Sequence, residues 1–412
     1  MNVLVLDGHG NQGVACVRSL ARAGHRVILG ATQPSWTAGW SRYVHERFIY
    51  PPPEDNAQAF ILCLCDKLKE IGRGLVLAMM ERTTLRLSEY RECVIAAGGI
   101  LVLPSHEAVL KAFDKRESTS LAQSLSISVP RTVVIEPAAA SELAPNMQYP
   151  VILKARMSEE PRGDGTISRT GIPLYARNDA DLHWAIEKLR RTSRSILVQE
   201  FVPGRGAGYF ALMNKGELCA EFAHERVRDV CPTGSGSAVR RSVLPDPHVR
   251  EAGLALLRAL GWTGVAMVEF RIRDDGTPVF LEVNGRFWNS LALAIYAGID
   301  FPKLLAQMAE EGEIRERPTY RENVRCRWLL GDCRHLMDVW RGAPRGYPLA
   351  YPGRLRTLWD FIVPVPGTFH DNFQWNDPLP EFGDWFSFFL RKVPSALKAT
   401  PDRPSAKTCS KV

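Results

Sequence analysis

The chain has 412 residues, of which 45% are hydrophobic and 24% charged, and its formal net charge is +7. This length exceeds one ordinary core, and no apolar stretch approaches the roughly 20 residues that span a bilayer. Nine cysteines are scattered without paired metal-ligand spacing. The sequence therefore predicts two or three domains of a reduced, cytoplasmic protein without a secretory signal, and it contains no nucleic-acid-binding motif.

The first 113 residues alternate between predicted strands and helices. The predicted strands lie at residues 3–6, 25–29, 74–79 and 100–104. The helices between them lie at residues 13–23, 56–71 and 84–97. This alternation predicts a doubly wound parallel sheet that is covered on both faces.

The first strand runs into Gly8, Gly10 and Gly13, which have the spacing of a dinucleotide-binding turn. A nicotinamide site normally adds an acidic residue about 20 residues later, at the end of the second strand. Here that strand ends in residues 30–33, GATQ, without an acid. We therefore favour a turn in which glycines allow close helix–strand packing, and keep an NAD(P)-dependent oxidoreductase as the weaker alternative.

Three further units follow in the predicted organisation. Residues 114–204 contain a Gly/Ser/Arg-rich stretch at 158–171, interpreted either as a flexible flap or as a surface loop. Residues 205–318 contain a glycine-rich loop, a helix and a strong hairpin signal. Residues 319–412 are predicted to form a C-terminal appendage with a mobile tail.

The C-terminal appendage is basic and aromatic. Residues 321–412 hold 14 Lys/Arg, 9 Asp/Glu and half of the ten tryptophans. This composition is compatible with peripheral contact to a membrane surface or with an anionic substrate. A solvated basic face over an aromatic core is the alternative interpretation.

The hairpin at residues 264–286, GVAMVEFRIRDDGTPVFLEVNGR, contains the main candidate site. If Arg273 pairs with Pro278 across a four-residue loop, Glu269 lies directly opposite Glu282, and Asn284 shares that face. Opposed carboxylates repel, neither strand carries a lysine, and removal of one carboxylate should relieve the repulsion.

Magnesium accepts hard oxygen ligands and bridges carboxylates to phosphates. Glu269, Glu282 and Asn284 are therefore the predicted metal ligands. Arg286 would present a fixed fork to a phosphoryl group. The alternative is a solvent-exposed polar face with arginine neighbours.

Glu269 followed by residues 281–286, LEVNGR, resembles the end of an ATP-grasp domain, as found in the carbamoyl-phosphate synthase large chain and in carboxylate–amine ligases. Three earlier blocks match in order: Asp114-Lys115, residues 151–154 (VILK) and residues 197–204 (LVQEFVPG). The resemblance covers roughly residues 1–310. It implies a mixed α/β and α+β chain, with a doubly wound parallel pre-ATP-grasp domain followed by a two-lobed ATP-grasp fold.

The same resemblance implies a nucleotide site. Lys115 and Lys154 would neutralise the polyphosphate, and the strand-end hinge would hold adenine through Gln199, Glu200, Phe201 and Val202. For Lys154 and Glu200 the alternative is an exposed position at a strand edge or end. One departure concerns ribose, because Gly206 stands where the family usually has an acid.

A third group precedes the hairpin. His224 and Arg226, the glycine-rich loop at 232–237, and Arg240 could hold a substrate carboxylate or the transferring phosphate. A hydrogen-bonded structural role is the alternative for His224. No covalent nucleophile is recognised.

The family resemblance implies an ATP- and Mg²⁺-dependent ligase, with Mn²⁺ as an alternative metal. A small-molecule carboxylate would become an acyl phosphate, which an amine would attack to form a C–N bond. A nucleotide-binding sensor or scaffold without turnover is the alternative from another functional class. The sequence identifies neither substrate and leaves a homo-oligomer open.

Overall fold

The computed structural model describes residues 1–35, 37–135, 147–314 and 318–392. The predicted mobile tail, beyond residue 392, lies outside the described residues. No single helix among the described residues is long and apolar enough to cross a membrane. Two helices, Leu291–Ala297 and Phe301–Glu311, meet that criterion only as a pair bent by 84°.

The N-terminal part is a parallel sheet with helices, as predicted. Its strands are β1 (Asn2–Val5), β2 (Arg26–Ala31), β3 (Glu46–Ile49), β4 (Gly74–Leu77) and β5 (Gly99–Ile100). Its helices are α1 (Asn11–Arg22), α2 (Ala57–Ile71), α3 (Glu81–Glu89), α4 (Arg91–Ala96) and α5 (His106–Phe113). The strand order is β3-β2-β1-β4-β5, and every neighbouring pair is parallel. The sequence did not predict β3, a short edge strand that alternates between half-buried and exposed residues.

Close packing explains two of the three glycines at the turn from β1 into α1. A Cβ atom on Gly8 would lie 2.6 Å from a Leu29 methyl carbon, and one on Gly13 would lie 3.4 Å from the Gly8 Cα. Asp7, at the end of β1, accepts hydrogen bonds from the backbone N–H groups of Met79 and Met80, both at 3.1 Å. The glycines thus let α1 approach the sheet closely.

The next elements build a small antiparallel lobe. In chain order they are α6 (Lys115–Ser124), β6 (Thr132–Ile135), β7 (Val151–Ala155), β8 (Glu159–Pro161), β9 (Ile167–Arg169), β10 (Leu174–Ala176), α7 (Asp179–Leu189) and β11 (Ile196–Glu200). The sheet order is β10-β7-β11-β6, while β8 and β9 form a separate two-stranded ribbon. One face of α7 packs on this sheet through Leu182, Ala185, Ile186 and Leu189.

A larger sheet forms the opposite lobe. Its elements are β12 (Arg205–Asn214), β13 (Glu217–Cys231), β14 (Ser235–Val243), α8 (Pro247–Ala259), β15 (Gly264–Ile272), β16 (Pro278–Asn284), α9 (Leu291–Ala297) and α10 (Phe301–Glu311). The remaining elements are β17 (Arg325–Arg327), α11 (Leu329–Arg341), α12 (Arg354–Ile362), β18 (Thr368–His370) and α13 (Leu379–Lys392). The order is β16-β15-β12-β13-β14-β17-β18, so strands from beyond residue 318 extend this sheet.

A buried polar cluster attaches the C-terminal region to α1. Arg18 donates from Nε to Asp377 at 2.8 Å and from Nη2 to the Asn372 carbonyl at 2.7 Å. Asn11 donates to the carboxylate of Asp371 at 3.1 Å. These side chains are all almost inaccessible to solvent. These contacts therefore join the region after residue 318 to the N-terminal part of the molecule.

Candidate functional site

A cleft of about 530 Å³ lies between the small antiparallel lobe and the large sheet. All but one of the predicted site residues line it: Lys115, Lys154, Gln199, Glu200, Phe201, Val202, His224, Arg226, Glu269, Glu282, Asn284 and Arg286. The exception is Arg240. Residues separated by up to 171 positions thus converge on one concave surface, as expected for a ligand site.

Glu269 lies opposite Glu282 in the hairpin, as predicted, but the register of the two strands differs from the predicted one. The hairpin loop has three residues, because the Arg273 N–H donates to the Thr277 carbonyl at 3.0 Å, and Ile272 pairs with Pro278. The predicted pairing of Arg273 with Pro278 is therefore wrong by one residue. A bulge at Leu281 then restores the offset.

The bulge also changes what the strand presents. Leu281 has no partner in β15, and both Leu281 and Glu282 line the cleft although they are adjacent in sequence. In a regular strand, adjacent side chains would point to opposite faces. The irregularity therefore gives the cleft one apolar and one anionic side chain at the same point.

Cations from other elements surround Glu282. The Nζ atom of Lys115, at the start of α6, lies 3.5 Å from a Glu282 carboxylate oxygen. Burial alone would raise the pKa of Glu282, but the charges of Lys115 and Lys154 outweigh it and lower the pKa to about 2. Burial lowers the pKa of Lys154 to about 8, against the opposing effect of Glu282.

Glu269 has its own cationic partner. Arg226 on β13 donates to it at 2.8 Å and also approaches the Gly234 carbonyl at 3.3 Å. The two opposed carboxylates are thus each paired with a cation, although neither hairpin strand carries a lysine. These cations form an electropositive surface that suits a polyphosphate.

The oxygen atoms of Glu269, Glu282 and Asn284 fit a hard divalent cation by chemistry. Asn284 Oδ1 now accepts a hydrogen bond from Arg286 at 3.2 Å. Within the described ranges, no group of three or more His, Cys, Asp or Glu side chains could hold a metal ion. The donor set therefore suits an ion such as Mg²⁺, which takes few protein ligands and completes its shell with phosphate and water.

The hinge residues lie at the far end of β11. Gln199 donates to Thr132 at 2.9 Å, and Glu200 forms an ion pair with Arg273 at 2.8 Å. The Phe201 N–H donates to the Pro150 carbonyl at 3.2 Å. This end of the cleft combines backbone, amide and aromatic groups, which is the chemistry that recognises a purine base.

Arg240 does not reach the cleft, which corrects its prediction as a catalytic residue. Its side chain is fully buried and forms an ion pair with Asp371, which is equally buried. It also donates to the Ser237 carbonyl at 2.9 Å. Its charge is therefore neutralised by Asp371 in the protein interior. The glycine-rich loop that we predicted to bind an anion lies directly above it.

His224 lines the cleft but is buried, and its Nε2 atom lies 2.8 Å from the Ser290 hydroxyl. Burial, and then the charges of Arg226 and Arg240, hold the pKa of His224 well below its usual range. Trp288, Asn289 and Ser290 also line the cleft. Sequence reasoning missed these three because they follow the hairpin in a loop without a recognisable motif.

A family model described as "ATP-grasp in the biosynthetic pathway with Ter operon" matches residues 192–331. A D-alanine–D-alanine ligase of Anaeromyxobacter sp. strain K is 27% identical over 217 residues, which are 49% of this chain and 68% of that protein. The mitochondrial propionyl-CoA carboxylase alpha chain of Sus scrofa is 25% identical over 246 residues. Residues 192–331 of this chain therefore match an ATP-grasp family.

The similarity to the carboxylase covers 56% of this chain but only 32% of the carboxylase alpha chain. The chain thus spans about a third of that relative's length and about two thirds of the ligase's length.

Solved structures share the ATP-grasp fold at low sequence identity. The L-amino acid ligase from Bacillus licheniformis superposes with a TM-score of 0.57 at 16% identity, over 75% of this chain and 73% of the other. A biotin carboxylase complex from Campylobacter jejuni gives 0.62 at 16% identity, over 78% and 74%. At this identity, these likenesses concern the fold alone.

The β8–β9 ribbon contacts the N-terminal part of the chain. Glu159 accepts a hydrogen bond from the Arg82 guanidinium at 2.6 Å, and the Ile167 N–H donates to the Glu54 carbonyl at 2.7 Å. Ser158 and Thr170, at the two ends of the ribbon, line the cleft. The Gly/Ser/Arg-rich stretch is therefore ordered into a hairpin that lies beside Lys115 and Lys154.

Proposed function

We propose that this protein is an ATP- and Mg²⁺-dependent ligase that activates a carboxylate as an acyl phosphate for attack by an amine. One observation carries the proposal: two directly opposed carboxylates, Glu269 and Glu282, meet the cations of several other elements in a single interlobe cleft. Such a set of alternating charges suits a metal–polyphosphate better than it suits a neutral ligand.

The residues divide the cleft into regions. Gln199 to Val202 would hold adenine, and Leu281 would pack against the base. Lys115 and Lys154 would move their charges from Glu282 to the polyphosphate. Ribose would be held without a family-type acid, because Gly206 supplies no side chain at that position.

Glu269, Glu282 and Asn284 would hold Mg²⁺. When bound, the ion would neutralise charge on the phosphates and orient the transferring group. Freed from Asn284, Arg286 would offer its fork to the same group. The protein's contribution is then positioning and charge neutralisation.

Both bond changes in the proposed reaction balance. A carboxylate oxygen of the first substrate attacks the γ-phosphorus, the bond to the bridging oxygen breaks, and ADP leaves. The amine nitrogen then attacks the acyl carbon, the C–O bond to phosphate breaks, and inorganic phosphate leaves with the electron pair. The proton lost by nitrogen passes to the departing phosphate, which is more basic than His224, because burial holds the pKa of that imidazole well below its usual range.

Hydroxylamine trapping tests the proposal. Pools of small carboxylic acids are incubated with protein, MgATP and hydroxylamine, which intercepts an acyl phosphate as a hydroxamate. Hydroxamate and ADP should appear together for at least one acid and should be lost in Glu282→Gln. ATP binding without ADP release across all pools would instead favour a nucleotide sensor.

We also propose a cytoplasmic location, in keeping with the dispersed cysteines, which form no disulfide in the described part of the chain. We also propose that the domain boundaries lie between residues 113 and 114, between 204 and 205, and between 318 and 319.

A further inference from the structure

A second cavity, of about 420 Å³, lies between the glycine-rich turn, the loop after β16 and α11. Three regions distant in sequence line it: His9 to Asn11, Asn289, and a set from the C-terminal region comprising Trp328, Leu330, Arg334, Met337, Asp338, Arg341, Asp384 and Phe388. No motif in the sequence indicated it.

The second cavity adjoins the nucleotide cleft, because Asn289 lines both. The neighbouring cleft wall contains polar atoms that lack a hydrogen-bond partner among the described residues: Trp288 Nε1, His224 Nδ1 and Ser237 Oγ. Trp288 is 2% exposed and His224 is 4% exposed. Because buried polar atoms are nearly always bonded, these three atoms are available to a ligand or to water in the cleft.

The walls of the second cavity are chemically mixed. Trp328, Met337 and Phe388 make part of it apolar. Arg334 is an exposed residue of α11, whereas Arg341 of the same helix is engaged by Asp338 at 2.6 Å. The first N–H groups of α1, which have no partner within the helix, add a partial positive charge to the same wall.

We propose that this second cavity is the subsite of the attacking substrate, and that this substrate is an amine carrying an apolar body and a separate anionic group. The inference rests on the proposed function. The amine would enter past Asn289 towards the acyl phosphate, while Arg334 and the α1 N-terminus hold the anion. The C-terminal region is then part of the substrate site, and the α1 turn serves recognition as well as packing.

Matched acceptors test the substrate class. The donor acid found by hydroxylamine trapping is offered leucine, leucinamide, isoamylamine and O-phosphoethanolamine, and ADP release is measured with each. Amines with an anionic group should be used at least tenfold better, by kcat/KM, than their neutral counterparts. Leucine and O-phosphoethanolamine distinguish a carboxylate from a phosphate as the anionic group.

Arg334→Gln should reduce that preference about tenfold or more, by raising the KM of the anionic amine but not that of its neutral counterpart. Arg356→Gln, an exposed arginine of α12 paired with Asp360, is the matched control and should keep the preference. Met337→Trp narrows the second cavity and should select against leucine relative to glycine.

Hydroxamate formation separates the two hypotheses. No hydroxamate with any acid would refute the proposed ligase itself. If hydroxamate does form, three results would each overturn the acceptor subsite alone. Neutral amines could be used as well as anionic ones, no anionic amine could be used at all, or Arg334→Gln could leave the preference unchanged.

Discussion

Arg240 on β14 and Asp371, directly after β18, form an ion pair in which neither side chain is accessible to solvent. Asp371 also accepts hydrogen bonds from Asn11 of α1 and from the Cys326 thiol of β17. One buried carboxylate thus joins the N-terminal sheet, the large sheet and the C-terminal region. Its role is structural, and so is the role of Arg240.

Replacing Arg240 by Met should lower the free energy of unfolding by about 3–5 kcal/mol, because Asp371 would stay buried without its cation. Chemical denaturation followed by circular dichroism measures this. The double variant Arg240→Met/Asp371→Leu should recover part of the loss, since it removes both charges together but leaves Asn11 and the Cys326 thiol without their acceptor. A stable Arg240→Met protein without activity would instead support a catalytic role.

Glu282→Gln should reduce the proposed ligase turnover on the order of a thousandfold, because it removes a proposed metal ligand and the negative charge beside Lys115 and Lys154. It should also lower stability without nucleotide by about 1–2 kcal/mol, since the two lysines then face each other. The sequence alone predicts the opposite effect on stability. It places the two carboxylates opposite each other without revealing the cations beside them, so the removal of one carboxylate was expected to relieve repulsion.

The stability effect of Glu282→Gln should depend on pH. The folded protein lowers the pKa of Glu282 to about 2, so its stabilisation is complete above about pH 4.5 and is lost as the pH falls towards 2. Denaturation curves across this range should converge for the two proteins. Glu225→Gln is the control: its exposed pair with Arg241 should contribute little to stability or turnover.

A carboxyl group of α13 provides a second pH prediction. Burial, with the nearby charges of Asp384 and Asp371, raises the pKa of Glu381 to about 7, against a hydrogen bond from Trp385 and the charge of Arg18. The folded protein therefore keeps a proton that the unfolded chain has lost above about pH 4.5, and stability falls as the pH rises to 7.

Glu381→Gln should remove that dependence. The variant should be about 1–3 kcal/mol more stable than the parent at pH 8 and nearly equal to it at pH 4.5. Urea denaturation at the two pH values measures the difference. Equal effects of the substitution at both values would show that Glu381 titrates alike in the folded and unfolded chains.

The β8–β9 ribbon should loosen when its buried anchor is removed. Glu159→Ala breaks the contact with Arg82, so amide hydrogen exchange over residues 159–169 should accelerate about tenfold or more. Arg169→Ala is the control, because Arg169 is an exposed partner 3.6 Å from the same carboxylate. Exchange that stays slow in Glu159→Ala would mean that the other contacts of the ribbon, those of Ile167 with Glu54 and of Gly165 with Arg86, are enough to hold it.

The sequence predicted the parts of this molecule that depend on local patterns. The parallel sheet follows from alternating periodicities, and the opposed pair Glu269 and Glu282 follows from the hairpin. Even there, the prediction was right because two errors cancelled. The loop is one residue shorter than predicted, and an unpredicted bulge at Leu281 shifts the register back by one residue. Such a bulge depends on packing that no local pattern records.

Long-range pairing was beyond the sequence. Nothing around Arg240 reveals that its partner lies 131 positions later, so a buried arginine was predicted to be catalytic. Lys115 and Arg226 were assigned to ligands, although each also pairs with a hairpin carboxylate. The second cavity was missed for the same reason, because its walls come from three distant regions.

The contact between Arg18 and Asp377 also has a consequence during synthesis. The two residues are separated by 359 positions, so a ribosome adding about 5–20 residues per second completes the partner of Arg18 roughly 20–70 s after the arginine itself. Until then, Arg18 of α1 lacks the carboxylate that neutralises its charge in the folded protein. The nascent N-terminal sheet should therefore be a client for chaperones that shield its unfinished face, and messages truncated before codon 371 should yield chains prone to degradation.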